Sequence, residues 1–464
     1  MSSLRRTLPG LSRRHFLQGA LAASFTAASY RRVLGANDRV GVGFIGYGLI
    51  GKRHVLDFQA ESDVDLRGVA EVHRGRMDEA VGQMKGSCRG YRDFRSLLDD
   101  KGIDAVVVST PDHWHALQGM MACAAGKDLY VEKPLTLFVR EGRWMLDVAA
   151  KHHRVVQVGT QQRSGPHYRK VKELIADGAI GKITSVRMAA FRNIMPGYGS
   201  PADAAPPEEL DWEMWQGPAP AHAYNPNRAI YHFRWFWDYS GGQMTNLGAH
   251  QLDILDWCLA PGGPKAVSST GGRFALEDNG QTPDTQDAMF AYPGFTALWS
   301  HREAAAGRGE HFPLEFFGTK GSLTVNRAGF KLTPDRKVPA GNTVPSFGDA
   351  PVGAPVRVEE KEGPKWWTEG IEDKTGDQKV QFKLHVRNFL DCVKSRKQPV
   401  SDLASAHRVA TACHLANLSL RLGRQLRWDE AKQEIVGDAE ANQQLVRAYR
   451  APWDKELKSL GVTT

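Results

Sequence analysis

The chain has 464 residues, 41% of them hydrophobic and 24% charged, which suffices for two ordinary domains with their own cores. Its net charge of +8 is concentrated at one end: residues 1–36 hold six arginines and no acid, so the remainder carries +2, which makes no electrostatic case for nucleic acid or a membrane surface as a partner. The five cysteines, Cys88, Cys123, Cys258, Cys392 and Cys413, are widely spaced and lack a CxxC pair, so neither a disulfide framework nor a metal site is expected.

The first segment concerns location. Ser12-Arg13-Arg14-His15-Phe16-Leu17 precedes a mildly apolar run over 17–28 and small residues suited to cleavage, and residues 1–36 resemble a twin-arginine export signal. The run is too short and too rich in small residues to stay in a bilayer as a helix. A periplasmic or exported protein is the expectation, released from the membrane and folded before export.

Residues 37–160 read as a dinucleotide-binding domain. Val40-Gly41-Val42-Gly43-Phe44-Ile45 is an apolar strand that runs into Gly46-Tyr47-Gly48-Leu49-Ile50-Gly51, a GxGxxG turn followed by a helix over 52–60. Gly46 permits the tight turn, Gly48 removes the side chain that would block a pyrophosphate, and Gly51 lets helix and strand pack closely; Leu49 and Ile50 open the helix whose amides face the phosphates. A second strand over 64–70 ends at Glu71, twenty residues beyond Gly51, where a carboxylate accepts ribose hydroxyls and repels a 2′-phosphate. NAD is therefore favoured, with NADP the alternative because Arg74 and Arg76 follow.

Helices are predicted over 74–84 and 91–99, then a strand over 103–109 whose unbroken apolar run fits a sheet covered on both faces. It delivers Thr110-Pro111-Asp112-His113-Trp114-His115 as a loop at the carboxyl end of the sheet, where such sheets bind ligands. Trp114 and His115 are candidates for the nicotinamide side, with capping of a helix over 116–125 as the other reading. The strand over 128–131 leads to Glu132-Lys133-Pro134, which holds an amine at the same crevice; burial would lower its pKa toward neutrality.

Residues 161–430 read as a substrate domain. Gln161, Gln162, Arg163, His167 and Tyr168 follow the last strand, with Arg163 a candidate substrate contact. A helix over 168–177, a strand over 183–191 and a Pro/Gly-rich loop over 193–224 lead to Tyr231-His232-Phe233-Arg234-Trp235-Phe236-Trp237-Asp238-Tyr239, where flat aromatic faces suit a sugar ring and Arg234 its hydroxyls. A helix carrying Asn246, His250 and Asp253 would place the three on one stripe. Further strands are expected over 266–270, 287–292, 296–301 and 313–318, a surface excursion over 333–380, and helices over 383–395 and 402–422 that pack back on the body. Residues 431–464 read as a tail, and no internal repeat is present.

In combination, the GxGxxG turn, Thr110–His115, Glu132-Lys133-Pro134 and the Gly241–Asp253 stretch resemble the Gfo/Idh/MocA oxidoreductases, from about residue 40 to 428; the export signal and the aromatic run resemble the sugar-acting, exported branch. The resemblance implies an α/β protein, a Rossmann doubly wound parallel sheet followed by an α/β domain with a large, open, mostly antiparallel sheet, one face over the nicotinamide and the other a contact in a homo-oligomer. It implies hydride transfer between a hydroxyl-bearing carbon of a sugar or cyclitol and the cofactor, with Thr110, Pro111, His115, Glu132 and Lys133 on the cofactor side and Trp114, Arg163, Arg234 and Asp253 toward substrate. The family's catalytic lysine falls on Lys133 and its histidine on His250. Where several members have an aspartate four residues before that histidine, this chain has Asn246, which orients a partner but cannot share its proton. Asp253 is a candidate replacement for the missing charge. Two rivals follow: a glycosidase that oxidises its sugar transiently, and a sugar-binding protein that keeps the nucleotide as a structural part.

Overall fold

The structure is a computed structural model that describes residues 39–85, 88–307, 313–337 and 365–462. The expected signal over 1–36, and 338–364 of the expected excursion, lie outside the described residues.

The first domain is a six-stranded, wholly parallel sheet: β1 (Val40–Ile45), β2 (Val64–Ala70), β3 (Arg89–Tyr91), β4 (Ala105–Val108), β5 (Asp128–Val131) and β6 (Val156–Val158), in the order β3-β2-β1-β4-β5-β6. Every residue of β1, β4, β5 and β6 is buried, as a sheet covered on both faces requires. The order reverses between β1 and β4, so the crevice beyond their carboxyl ends is the place such a sheet binds a ligand. One expected helix is displaced: Tyr91 closes the short β3, and the helix starts only at Phe94, capped by the Asp93 carboxylate on the Arg95 amide.

The second domain is a ten-stranded sheet of β7 (Ile183–Phe191), β8 (Ala266–Gly272), β9 (Thr285–Tyr292), β10 (Phe295–Arg302), β11 (Leu314–Gly318), β12 (Gly321–Asn326), β13 (Gly329–Pro334), β14 (Ile371–Asp373), β15 (Leu426–Asp429) and β16 (Glu434–Ile435). Their order is β14-β13-β12-β11-β7-β10-β9-β8-β15-β16, antiparallel throughout except for β7 against β10. One face packs its alternate apolar residues, among them Val186, Phe290, Trp299 and Phe316, on the helices Ala249–Leu259 and Leu403–Leu422. On the other face Met289 and Leu298, directly opposite across β9 and β10, stay 46% and 39% exposed.

Two late segments return to the first domain. The helix Gln378–Ser395 lays Val386, Phe389 and Leu390 on one face of the parallel sheet, against Phe58 and Tyr130. The segment after residue 431 is no free tail: Tyr449, Trp453 and Leu457 join the core on the other face, and Trp453 stacks on Phe94. Among the described residues no helix is long and apolar enough to cross a membrane.

Candidate active site

A crevice of about 460 Å³ runs between the domains, from Glu71 and Gly48 at one end to Asn246, His250 and Arg327 at the other. At its first end the glycines separate into two jobs. Gly46 has φ +91°, and a side chain there would press on the Ser109 backbone at 2.9 Å; one on Gly51 would meet the Gly46 carbonyl at 2.4 Å. Those two are demanded by the fold. A Cβ on Gly48 would have nothing within 4 Å, and its φ of −78° suits any residue, so its bareness serves something outside the chain. Gly48 also caps the helix Leu49–Gln59 with no side-chain hydrogen bond and no acid in the first turn. The orphan amides at Leu49 and Ile50 therefore fit an anionic pyrophosphate, and the turn fits the dinucleotide. Glu71 closes β2 within the crevice, its carboxylate held by the amides of Tyr47 at 2.7 Å and His73 at 3.0 Å, with Arg76 and Arg92 nearby on the wall.

The Thr110–His115 stretch is not a loop. The helix begins at Asp112, four residues earlier than expected, because Pro111 opens the turn and Asp112 supplies an acid beside the helix amino end. This commits both aromatic candidates. Trp114 lines the crevice, edge-on to Phe94 and Trp453, with its Nε1 donating to the Trp215 carbonyl at 3.0 Å. His115 faces carbonyl oxygens with both ring nitrogens, Pro134 and Thr110, each at 2.8 Å. Both residues line the crevice with their ring nitrogens facing backbone carbonyls, so what they present to it is ring surface. Thr110 and Pro111 line the crevice with them.

At the centre, Lys133 Nζ donates to the Oδ1 of Asn246 at 2.9 Å and to its carbonyl at 3.0 Å. Burial, and behind it the nearby guanidinium groups of Arg234 and Arg327 working against Glu132 and Asp112, bring its pKa down to about 8. Glu132 is buried; although burial pushes its carboxyl up, the His54 imidazole at 2.7 Å holds it below the usual value. Its other oxygen accepts from the Lys133 amide at 3.1 Å. His250 lies on the same wall with its Nδ1 buried and unpartnered, and burial together with the Lys133 and Arg327 charges pushes it well below an ordinary histidine. It is a neutral imidazole beside an amine poised near neutrality.

Arg163 and Asp253 do not reach this site. They face each other inside the second domain, where Nε and Nη2 of the guanidinium grip both carboxylate oxygens at 2.7–3.0 Å and Nη1 binds Ser405. Residues Met244–Gly248 form a π-helical turn before the α-helix Ala249–Leu259, which takes Asn246 out of α-helical register with His250, while Asp253 within that helix turns to Arg163. Asp253 thus supplies no charge to His250. Arg234 does line the crevice, leaning on the Phe233 and Tyr231 rings. Half of the aromatic run is core: Phe233, Phe236 and Tyr239 pack with the stacked pair Trp212 and Trp215, and Asp238 turns to His222 at 2.7 Å.

Two residues of the site escaped sequence reasoning. His54 is visible in retrospect as a histidine inside the buried stripe Gly51, His54, Val55 and Phe58. Arg327 sits on the β12–β13 turn, between strands whose composition gave no signal.

The geometry defines a two-domain nicotinamide-type crevice. Residues 40–160 match the family profile described as "Oxidoreductase family, NAD-binding Rossmann fold", residues 165–270 and 373–455 match "Oxidoreductase family, C-terminal alpha/beta domain", and residues 219–324 match the "GFO/IDH/MocA C-terminal domain". The chain belongs to the Gfo/Idh/MocA oxidoreductase family. Its relatives include the inositol 2-dehydrogenase/D-chiro-inositol 3-dehydrogenase of Lactiplantibacillus plantarum, 32% identical over 33% of this chain and 45% of that protein. The levoglucosan dehydrogenase of Pseudarthrobacter phenanthrenivorans is 26% identical over 62% of this chain and 74% of that protein. A glycosyl hydrolase family 109 protein of Shewanella is 28% identical over 44% of this chain and 48% of that protein. The matched region thus spans less than half the length of some of these relatives and about three quarters of others. Among solved structures, that of levoglucosan dehydrogenase in complex with NADH and levoglucosan shares the fold at a TM-score of 0.63 and 18% identity, covering 84% of this chain and 99% of the other.

Proposed function

We propose that the chain is an NAD-dependent dehydrogenase that acts on a hydroxyl-bearing carbon of a sugar or cyclitol. The observation that carries the reading is the bond between Lys133 and Asn246 at the meeting of the two domains, which sets an amine titrating near pH 8 beside the neutral His250. The bound nicotinamide supplies hydride chemistry. Lys133, once deprotonated, takes the proton of the reacting hydroxyl; Asn246 fixes its direction through Oδ1; His250 donates or accepts a hydrogen bond without carrying charge. The imidazole is too strongly held neutral to be the principal base, so proton transfer rests on the lysine, a narrower division of labour than the sequence suggested. Glu71 disfavours a 2′-phosphate and supports NAD, with Arg76 and Arg92 leaving NADP as the alternative.

The test is NADH formation from a panel of sugars and cyclitols. Replacing Lys133 with alanine is expected to cut kcat by about 10²- to 10⁴-fold while NAD remains bound, and wild-type oxidation should rise with pH through about 8 as Lys133 loses its proton. A flat profile between pH 7 and 9 would refute the assignment. The glycosidase reading is favoured by the hydrolase-named relatives, and release of aglycone from glycosides with no net NADH would establish it in place of the dehydrogenase.

The paired arginines Arg13 and Arg14 support export of the folded protein to the periplasm, which cell fractionation tests. The exposed Met289–Leu298 pair supports a contact between copies on the outer face of the ten-stranded sheet, which sedimentation tests.

A further inference from the structure

The second-domain end of the crevice carries an excess of positive charge that the proposed neutral substrate leaves unexplained. Lys133, Arg234 and Arg327 line it; the charges of Glu132 and Asp112 act on Lys133, Glu71 lies at the other end on the Tyr47 and His73 amides, and among the described residues neither arginine has a carboxylate partner. Arg327 is the most telling. Its turn is pinned on three sides: the Asn326 Oδ1 accepts from the Ala328 and Gly329 amides at 2.8 and 3.2 Å, the Asn326 carbonyl meets His167 Nε2 at 3.0 Å, and the Arg327 carbonyl accepts from Gln381. With the Gln162 amide turned to satisfy both of its ends, it accepts from Arg327 Nε at 3.3 Å and from the Tyr168 hydroxyl, and donates to the His250 carbonyl. The guanidinium is thus oriented next to His250. Among the described residues it has no carboxylate partner, and its surroundings leave it costly to keep charged. A held, half-buried guanidinium with its terminal nitrogens unspent is a receptor for a planar or tetrahedral anion.

We infer that the substrate carries an anionic group, seated on Arg327 with Arg234 as the second cation of that end, so that the enzyme prefers a sugar acid or sugar phosphate to the neutral sugar. This rests on the dehydrogenase reading for turnover, but not for binding. The pyrophosphate of the cofactor does not account for it: that anion belongs to the turn at Gly48, at the other end of the crevice, whereas the neighbours of Arg327 are Gln162, Tyr168, Leu247 and His250 of the second domain.

The experiment measures NADH formation and, separately, calorimetric binding to the NAD-loaded protein, with D-glucuronate, D-glucose 6-phosphate and D-glucose as probes. One anionic probe is expected to exceed glucose in kcat/KM by at least about tenfold, and Arg327→Gln should shrink that ratio by about 10- to 100-fold, with Arg327→Lys intermediate because it keeps the charge but loses the fork. Glucuronate and glucose 6-phosphate distinguish a carboxylate from a phosphate. A ratio near one in the wild type, or a ratio unmoved by Arg327→Gln, overturns the inference. The two readings fail separately: anion binding that needs Arg327 without any NADH formed upholds the anion site and removes the dehydrogenase, whereas glucose oxidation with no anion bound does the reverse.

Discussion

Asn246 sets the chemistry of Lys133 by what it lacks. Its Oδ1 accepts from the ammonium as readily as a carboxylate oxygen would, yet without a negative charge it does nothing to keep the proton there. Asn246→Asp replaces that contact with a buried ion pair, which favours the charged amine. A lysine pKa raised in this way delays formation of the free base, so the rising limb of the pH profile for sugar oxidation should move from about 8 to roughly pH 9 or above. The rate at pH 7 should fall while the rate at high pH recovers, and a limb that stays in place would remove Lys133 as the titrating base. Arg163 and Asp253 teach the converse. As sequence symbols they look like substrate ligands; in the folded chain each neutralises the other across 90 positions, and removing one partner leaves a buried charge at a cost of about 3–5 kcal/mol. Nothing local in the sequence announces such a pairing.

At the scale of elements, what was legible followed from strong local rules. An uninterrupted apolar run gave β4, and three glycines at fixed spacing gave the turn between β1 and its helix. That turn makes its own prediction. Because a methyl group on Gly48 meets no protein atom, Gly48→Ala should leave the unfolding midpoint unchanged but weaken NAD about 10-fold or more, seen by equilibrium titration; Gly51→Ala, which collides with the Gly46 carbonyl, should instead destabilise the fold. Illegible elements were those governed by a partner or by an irregular turn. β12 and β13 alternate apolar residues with Ser, Thr and Lys over only six residues each, and Arg327 in the turn between them belongs to no motif. The π-helical turn at Met244–Gly248 has no composition signature, and the Asp253 carboxylate, one turn beyond His250, is taken by Arg163 from a distant segment. The helix over Asp112–Ala124 absorbed a motif expected as loop, and with it Trp114 and His115.

The domains of the whole molecule are interlocked more tightly than their order in the chain suggests. Phe389, fully buried, packs edge-on to Phe58 and Tyr130 of the nucleotide domain, and Trp453 is sandwiched with Phe94 and Trp114. Phe389→Ala and Trp453→Ala should each cost about 3–5 kcal/mol, and should loosen β1 and β5 in amide hydrogen exchange even though both residues lie beyond position 380; protection lost only near the substituted residue would contradict this. Synthesis order makes that arrangement consequential. A ribosome delivers the parallel sheet and its own helices first, yet part of the covering of each face is translated last, so the nascent amino-terminal half keeps apolar surface open until residues 386–390 and 449–457 emerge. Chaperone capture of translation intermediates shorter than about residue 380, released when the final helices emerge, is the outcome expected from this order of synthesis.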